Sequence, residues 1–163
     1  MIGQKHDWVW IMGITVKQGE NAPSFEGLTA DGSKLSLKEF IGKRNVVLYF
    51  YPKDDTPGCT KEACSFRDNI RSLRDLGAEI IGVSLDSVES HNKFREKYNL
   101  PFPLLSDKDK RIATAYGVLK EGGMSASRVT FIIDKKGKIA KIFPKVDVNT
   151  HADDVAAALR KLS

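Results

Sequence analysis

Short apolar runs alternate with amphipathic stretches along most of this chain. The run 45–51 is apolar and aromatic after its first residue, and such a run predicts a strand buried on both faces, as at the centre of a sheet. A second β-rich run covers residues 79–85. Two further runs, 129–133 and 139–143, flank a glycine-containing turn sequence and predict a β-hairpin.

Longer stretches with helical periodicity separate or follow these runs. They cover residues 56–76, 87–98, 109–116 and 152–162, and Ser87 stands in capping position at the start of the second stretch.

Shorter elements complete the pattern. Residues 25–28 predict a strand followed by a turn at Asp31 and Gly32, and residues 36–40 predict a short helix capped at its first residue. Residues 99–105 contain two prolines, so we expect a turn into a short edge element there.

This order predicts an α/β protein with a thioredoxin-like fold, in which a βαβ unit precedes a hairpin and a closing helix. Such a chain forms a central mixed β-sheet flanked by helices. A length of 163 residues fits one domain, since domains average about 150 residues. Residues 1–16 do not continue the pattern, so we interpret them as an N-terminal extension, either a strand, a tag remnant or a mis-assigned start. Residues 17–163 would form the thioredoxin-like domain.

Composition argues against several classes of function. With 41% hydrophobic and 29% charged residues the chain is typical of folded, soluble proteins. The net charge of 26 − 21 = +5 would suit a polyanion only if it were gathered on one face. The densest basic group instead fits the solvated face of the predicted hairpin: Lys135, Lys136, Lys138, Lys141 and Lys145. We therefore expect no nucleic-acid partner.

Hydrophobic segments are too short for a membrane protein. No stretch approaches the roughly 20 apolar residues that cross a bilayer, and the N-terminal run 8–12 lacks the length of a signal-peptide core. We expect no membrane association and a cytoplasmic location. The 2 cysteines cannot form a disulfide scaffold, so they are either incidental or chemical.

The candidate chemistry lies just after the first long strand, where open α/β sheets place their reactive groups. Thr56 is a good N-cap and Pro57 suits the first helical position, so Cys59 falls in the first turn. Unpaired N–H groups and the helix dipole favour the thiolate there, and the thiolate is the nucleophile. We expect Arg128, just ahead of the hairpin, to reach this sulfur across the sheet.

The second cysteine, Cys64, follows Cys59 at a spacing that a helix does not allow to bond. Positions five apart in an ideal helix differ by about 7.5 Å along the axis and by roughly 140° around it. A disulfide needs Cα atoms within about 6.8 Å of each other. The spacing thus predicts a switch between a helical, reduced state and a locally unfolded, oxidised state. Peroxide supplies a reason, because a thiolate that attacks peroxide becomes a sulfenic acid that a neighbouring thiol can condense with.

Other interpretations of these residues remain open. Both cysteines could be small core hydrophobes, since free cysteine is among the most buried residue types. A metal site is less favoured, because no second cysteine pair or histidine pair completes four ligands. We expect the scattered histidines, His6, His91 and His151, at the surface.

The pattern Pro52-x-x-x-Thr56-x-x-Cys59 resembles the active-site signature of peroxiredoxins. The run Thr-Pro-Gly-Cys-Thr-Lys-Glu-Ala-Cys, which ends at Cys64, is similar to the peroxiredoxin Q or bacterioferritin comigratory protein subfamily. The resemblance implies a thiol-dependent peroxidase in which Cys59 is the peroxidatic cysteine and Cys64 the resolving one. It also implies that the Thr56 hydroxyl binds the peroxide and that Pro52 shields the thiolate. Arg128 would stabilise the thiolate and the polarised peroxide.

The resemblance further implies that Glu62 and Phe66 shape the reactive helix. Substrates would be hydrogen peroxide and organic hydroperoxides, and the reductant thioredoxin or a glutaredoxin-type dithiol. No cofactor is implied, and a monomer is favoured over a weak dimer.

Two rival functions share the expected fold. A protein disulfide oxidoreductase also carries a cysteine at a helix start, but that class uses Cys-x-x-Cys, whereas four residues separate Cys59 from Cys64. A non-enzymatic redox sensor could use the same pair to transmit a signal.

Overall fold

The computed structural model describes residues 13–162. Most of the predicted N-terminal extension lies outside this range. Within it, Ile14 and Val16 are buried in the hydrophobic core, and the Thr15 hydroxyl donates a hydrogen bond to the Ala115 carbonyl at 2.8 Å. These residues therefore pack against the rest of the fold.

Strands of the described chain form one 7-stranded mixed sheet in the order β2-β1-β5-β4-β3-β6-β7. They are β1 (Glu26–Thr29), β2 (Lys34–Ser36), β3 (Asn45–Phe50), β4 (Ala78–Ser84), β5 (Leu104–Ser106), β6 (Val129–Ile133) and β7 (Ile139–Phe143). The helices are α1 (Pro57–Asp68), α2 (Ile70–Asp75), α3 (Val88–Tyr98), α4 (Arg111–Tyr116) and α5 (His151–Arg160), and a 3-10 turn covers Leu37–Glu39.

Strand β3 lies near the centre of the sheet and is buried along its whole length. It pairs in parallel with β4 and antiparallel with β6. Its alternate side chains enter two different cores, Val47 and Tyr49 on one face and Val46 and Leu48 on the other. The prediction of a central strand buried on both faces is therefore confirmed.

Helices cover both faces of the sheet. On the face that carries Tyr49, α1 contributes Phe66, α3 contributes Phe94 and α5 contributes Val155. On the opposite face, α4 packs through Tyr116. The predicted mixed sheet flanked by helices is confirmed, and the predicted hairpin is the antiparallel pair of β6 and β7.

The single helix predicted over residues 56–76 is wrong, because the structure divides it into α1 and α2. The division falls at Asn69, whose backbone leaves helical geometry at φ −111° and ψ 9°. Its side-chain amide donates to the Ser65 carbonyl at 2.8 Å. A short polar side chain that bonds nearby backbone competes with the regular helical pattern.

The short edge element predicted within residues 99–105 is also wrong in its position. The corresponding strand, β5, lies inside the sheet, parallel to β4 on one side and antiparallel to β1 on the other. Strand β2 was not predicted, and it completes a hairpin with β1 across the turn at Asp31 and Gly32.

The exposed lysines and the lengths of the helices agree with the predictions from the sequence. The basic group on the hairpin is exposed: Lys135, Lys136, Lys138, Lys141 and Lys145. Within residues 13–162, every helix is too short or too polar to span a lipid bilayer.

Candidate active site

Cys59 occupies the first turn of α1. Pro57 is the first residue of that helix, and Thr56 precedes it with an extended backbone in the N-cap position. The first turn contains no acidic residue, and its N–H groups lie at the positive end of the helix dipole. Cys59 is a free thiol with only 1% of its surface exposed. Its sulfur is therefore a buried thiol at the positive end of the α1 dipole.

The Arg128 guanidinium bridges Cys59 and a buried carboxyl group. Its Nη2 donates to Cys59 Sγ at 3.4 Å, and its Nη1 donates to Glu62 Oε1 at 2.8 Å. Gly58 leaves room for this arrangement, because a Cβ at that position would lie 3.0 Å from Arg128 Nη2. The cation, the thiol and the carboxyl group thus form one cluster.

Glu62 is the carboxylic acid of this cluster and is 1% exposed. Burial raises the pKa of Glu62 to about 7, although the Arg128 charge and hydrogen bond act in the opposite direction. Its Oε2 atom has no hydrogen-bond partner among the described residues, and His151 Nε2 lies 4.0 Å away. The carboxyl group can therefore gain or lose a proton near neutral pH.

His151 closes the far side of the cluster, so its predicted surface position is wrong. It is 2% exposed, and its ring packs against Phe66 and Phe143 at centroid distances of 5.5 and 5.1 Å. Its Nε2 lies 2.8 Å from the Thr130 hydroxyl. Burial lowers the pKa of His151 to about 4, so the ring is neutral at neutral pH.

The loop between β3 and α1 is anchored by Asp54. Its carboxylate accepts hydrogen bonds from the hydroxyls of Tyr51 at 2.6 Å and Ser90 at 2.8 Å. His91 Nδ1 lies 2.7 Å from the same carboxylate, and His91 Nε2 lies 3.0 Å from the Leu105 carbonyl oxygen. The buried His91 ring therefore links the Asp54 carboxyl group to the backbone of β5.

His91 is completely buried, so its predicted surface position is also wrong. His6 lies outside the described residues. Asp54, Asp86 and His91 place ligand-type atoms within 4.8 Å of one another. Hydrogen bonds already join them, including one at 2.8 Å from the Asp54 backbone N–H to Asp86 Oδ2. We therefore interpret this group as a network that fixes the loop.

A second carboxylate ties the same loop to α3. Asp55 has a left-handed φ of 57°, which aspartate tolerates better than most residues. It accepts hydrogen bonds from Lys97 Nζ at 2.7 Å and from the Tyr98 hydroxyl at 2.8 Å. These bonds lower the pKa of Asp55. The two aspartates thus hold the backbone from which Cys59 follows.

The remaining predicted site residues lie near this loop and helix. The Thr56 hydroxyl donates to the Lys53 carbonyl at 2.9 Å and does not cap the helix with its side chain. Pro52 is half-buried in the loop, and Cys64 is half-buried within α1 as a free thiol. Within residues 13–162, hydrogen bonds of the Cys59 sulfur lead only to Arg128.

The sequence did carry a signal for the two buried histidines. His91 precedes Phe94 by three positions, so the two share the apolar face of α3. His151 precedes Val155 by four positions and shares the apolar face of α5 in the same way. Helical periodicity applied to the polar residues would have placed both rings in the core.

Comparison with known proteins identifies the family of this chain. Residues 18–142 match a family model described as the AhpC/TSA family. The chain belongs to the AhpC/TSA family. Among the relatives of this AhpC/TSA protein, peroxiredoxin Bcp of Bacillus subtilis is 45% identical over 156 residues, 92% of this chain and 99% of the relative. The chloroplastic peroxiredoxin Q of Populus jackii is 43% identical over 149 residues, 90% of this chain and 70% of the relative.

Solved structures of known proteins support the same family. The bacterioferritin comigratory protein of Xanthomonas campestris, which has alkyl peroxide reduction activity, superimposes with a TM-score of 0.79 at 36% identity. The match covers 85% of this chain and 91% of that protein. The predicted thioredoxin-like fold and the predicted subfamily are confirmed. This AhpC/TSA protein is a thiol-dependent peroxidase of the peroxiredoxin Q and Bcp type.

Proposed function

We propose that Cys59 attacks the peroxide and that Cys64 resolves the oxidised product. The observation that carries this assignment is the Arg128 guanidinium 3.4 Å from the buried Cys59 sulfur, in the first turn of a helix. A neighbouring cation and a helix N-terminus both favour the reactive thiolate. Cys64 is half-buried in the middle of α1, away from the N-terminus of that helix.

The first step is displacement at the peroxide O–O bond. The Cys59 thiolate bonds to one oxygen, the O–O bond breaks, and the other oxygen leaves as water or an alcohol after taking up a proton. Arg128 stabilises the charge that develops on the departing oxygen. The Thr56 hydroxyl turns from the Lys53 carbonyl to bind the peroxide, and Pro52 shields the thiolate from water.

The second step forms a disulfide between Cys59 and Cys64. The Cys64 thiol condenses with the sulfenic acid and releases water. Both residues lie in α1, so the helix unwinds locally to bring the sulfurs together. A dithiol, thioredoxin or a glutaredoxin-type protein, then reduces the disulfide and the helix re-forms.

The wider assignment follows from the same chemistry. The substrates are hydrogen peroxide and organic hydroperoxides, which the alkyl peroxide reduction of the Xanthomonas campestris relative supports for the organic class. The enzyme acts as a monomer, because the cysteine pair needs no second subunit. It works in the cytoplasm, where dithiol reductants are maintained. Thiol chemistry alone completes the cycle, without a cofactor.

Peroxide-dependent NADPH consumption with thioredoxin and thioredoxin reductase tests the assignment. The Cys59→Ser variant should lose peroxide reduction because it lacks the nucleophile. Cys64→Ser should complete one rapid turnover and then recycle poorly. Ser65→Ala, the next position on α1, is the matched control and should turn over like the parent protein. Near-full turnover by Cys59→Ser would contradict the assignment. If the parent protein reduced insulin disulfides and not peroxide, it would be a protein disulfide oxidoreductase.

A further inference from the structure

The positively charged Arg128 guanidinium lies beside two buried acidic groups at the start of α1. The Arg128 guanidinium contacts both the Cys59 sulfur and Glu62 Oε1, and each of those residues is 1% exposed. Two anions beside a single cation would leave one buried negative charge without a partner. Such a charge is costly, and a buried group usually avoids it by keeping its proton.

Other groups that face this cluster are neutral. His151, from α5, contacts Glu62 at 4.0 Å, and burial lowers the pKa of His151 to about 4. Tyr49, from β3, is fully buried, and burial holds its pKa well above the ordinary value. Among the described side chains in contact with Glu62, Arg128 is therefore the only cation at neutral pH.

We propose that Cys59 and Glu62 share one proton, which Glu62 holds while Cys59 is a thiolate and releases when Cys59 is oxidised. This inference rests on the proposed role of Cys59. In the reduced enzyme the proton passes from the Cys59 thiol to the Glu62 carboxylate, so the pair keeps one negative charge opposite Arg128. Glu62 acts through Arg128 and needs no contact with the peroxide.

When the peroxide oxidises Cys59, Glu62 releases the shared proton. The sulfur gives two electrons to the peroxide, the S–O bond forms, the O–O bond breaks, and the departing oxygen needs one proton. The thiolate charge has then disappeared, so Arg128 is free to pair with a Glu62 carboxylate, and Glu62 releases one proton. Its unpartnered Oε2 and a pKa of about 7 suit a group that binds and releases a proton under working conditions.

Proton stoichiometry tests this directly. Reduced protein in weakly buffered solution at mildly alkaline pH receives one equivalent of hydrogen peroxide, and an indicator dye reports protons taken up during disulfide formation. The parent protein should take up none, because Glu62 supplies the proton that the leaving oxygen needs. Glu62→Gln should take up one proton per peroxide. Ultraviolet thiolate absorbance, absent from Cys59→Ser, verifies that Cys59 is ionised in both proteins beforehand.

Glu79→Gln is the matched control, since Glu79 is a half-buried glutamate that pairs with Arg74 at 3.2 Å away from the cluster. It should behave like the parent protein. One proton taken up by the parent protein would overturn the inference, because Cys59 and Glu62 would both have been ionised.

Infrared spectroscopy gives a second readout that does not need Glu62→Gln to fold. The C=O stretching band of a protonated carboxyl should be present in the reduced parent protein, disappear after peroxide, and be absent from reduced Cys59→Ser. A band that survives oxidation would overturn the inference while leaving the role of Cys59 intact. Peroxide consumption by Cys59→Ser at the parent rate would overturn both.

Discussion

Replacing Asp54 by Asn should weaken the fold far more than the same change at its neighbour Asp55. The Asp54 carboxylate accepts hydrogen bonds from Tyr51 and Ser90 and pairs with a His91 ring that has no solvent contact. Asparagine keeps the size of the side chain but removes the charge and one acceptor oxygen. Its NH₂ group would face the two hydroxyl donors, and His91 Nδ1 would lose the carboxylate oxygen that it contacts at 2.7 Å.

The expected magnitude follows from burial. Removing one partner of a buried ion pair costs about 3–5 kcal/mol, and the side chains of Asp54 and His91 are 4% and 0% exposed. Asp55 pairs with Lys97, but those side chains are 41% and 58% exposed. Exposed pairs contribute little because solvent screens them. Asparagine also tolerates the left-handed backbone of Asp55.

Guanidinium chloride unfolding followed by far-ultraviolet circular dichroism measures both variants. We expect Asp54→Asn to lose about 3–5 kcal/mol of unfolding free energy and Asp55→Asn to remain close to the parent protein. Asp54→Asn should also reduce peroxide more slowly, because the loop that precedes Cys59 loses its anchor. Equal stability of the two variants would refute the conclusion that the buried contact between Asp54 and His91 stabilises the fold.

Further predictions concern the cluster around Cys59. Arg128→Met should lower the rate constant for peroxide reduction about 10²–10³-fold. The control Arg111→Met should leave the rate constant unchanged, because the Arg111 side chain is 80% exposed. Equal rate constants for the two variants would contradict the role of Arg128. Because the pKa of His151 is lowered from 6.5 to about 4, its stabilisation is present above pH 6.5 and is lost as the pH falls towards 4. Because the pKa of Glu62 is raised from 4.5 to about 7, its contribution has the opposite sign and is lost as the pH rises through that interval. Unfolding free energies measured across this range should therefore rise less steeply with pH for His151→Gln than for the parent protein, and more steeply for Glu62→Gln; the reverse order would contradict the burial of these groups.

Local signals were enough to predict that Cys59 lies in the first turn of a helix. The helix start is indicated by residues that are adjacent in sequence: a buried strand, a capping residue and Pro57. Cys59 follows them directly and therefore falls in the first turn. Arg128 was expected near the sulfur only because the hairpin had already been assigned to the sheet. The folded structure places them in contact.

Contacts between distant elements could not be predicted from the same signals. The pairing of Asp54 with His91 depends on α3 packing beside the loop, and the contact of Glu62 with His151 depends on α5 packing beside α1. Helical periodicity places both histidines on the apolar faces of their helices, but it does not identify the groups that they contact there. The internal position of β5 likewise depends on β1, which returns to pair with it from the start of the domain.

Peptide mapping by mass spectrometry after one equivalent of peroxide tests the central claim most directly. Reduced protein is treated, its remaining thiols are alkylated, and the digest is compared with that of untreated protein. We predict an intramolecular disulfide between Cys59 and Cys64, and, in Cys64→Ser, a sulfenic acid on Cys59. An alkylated, unoxidised Cys59 after the peroxide has been consumed would contradict the account.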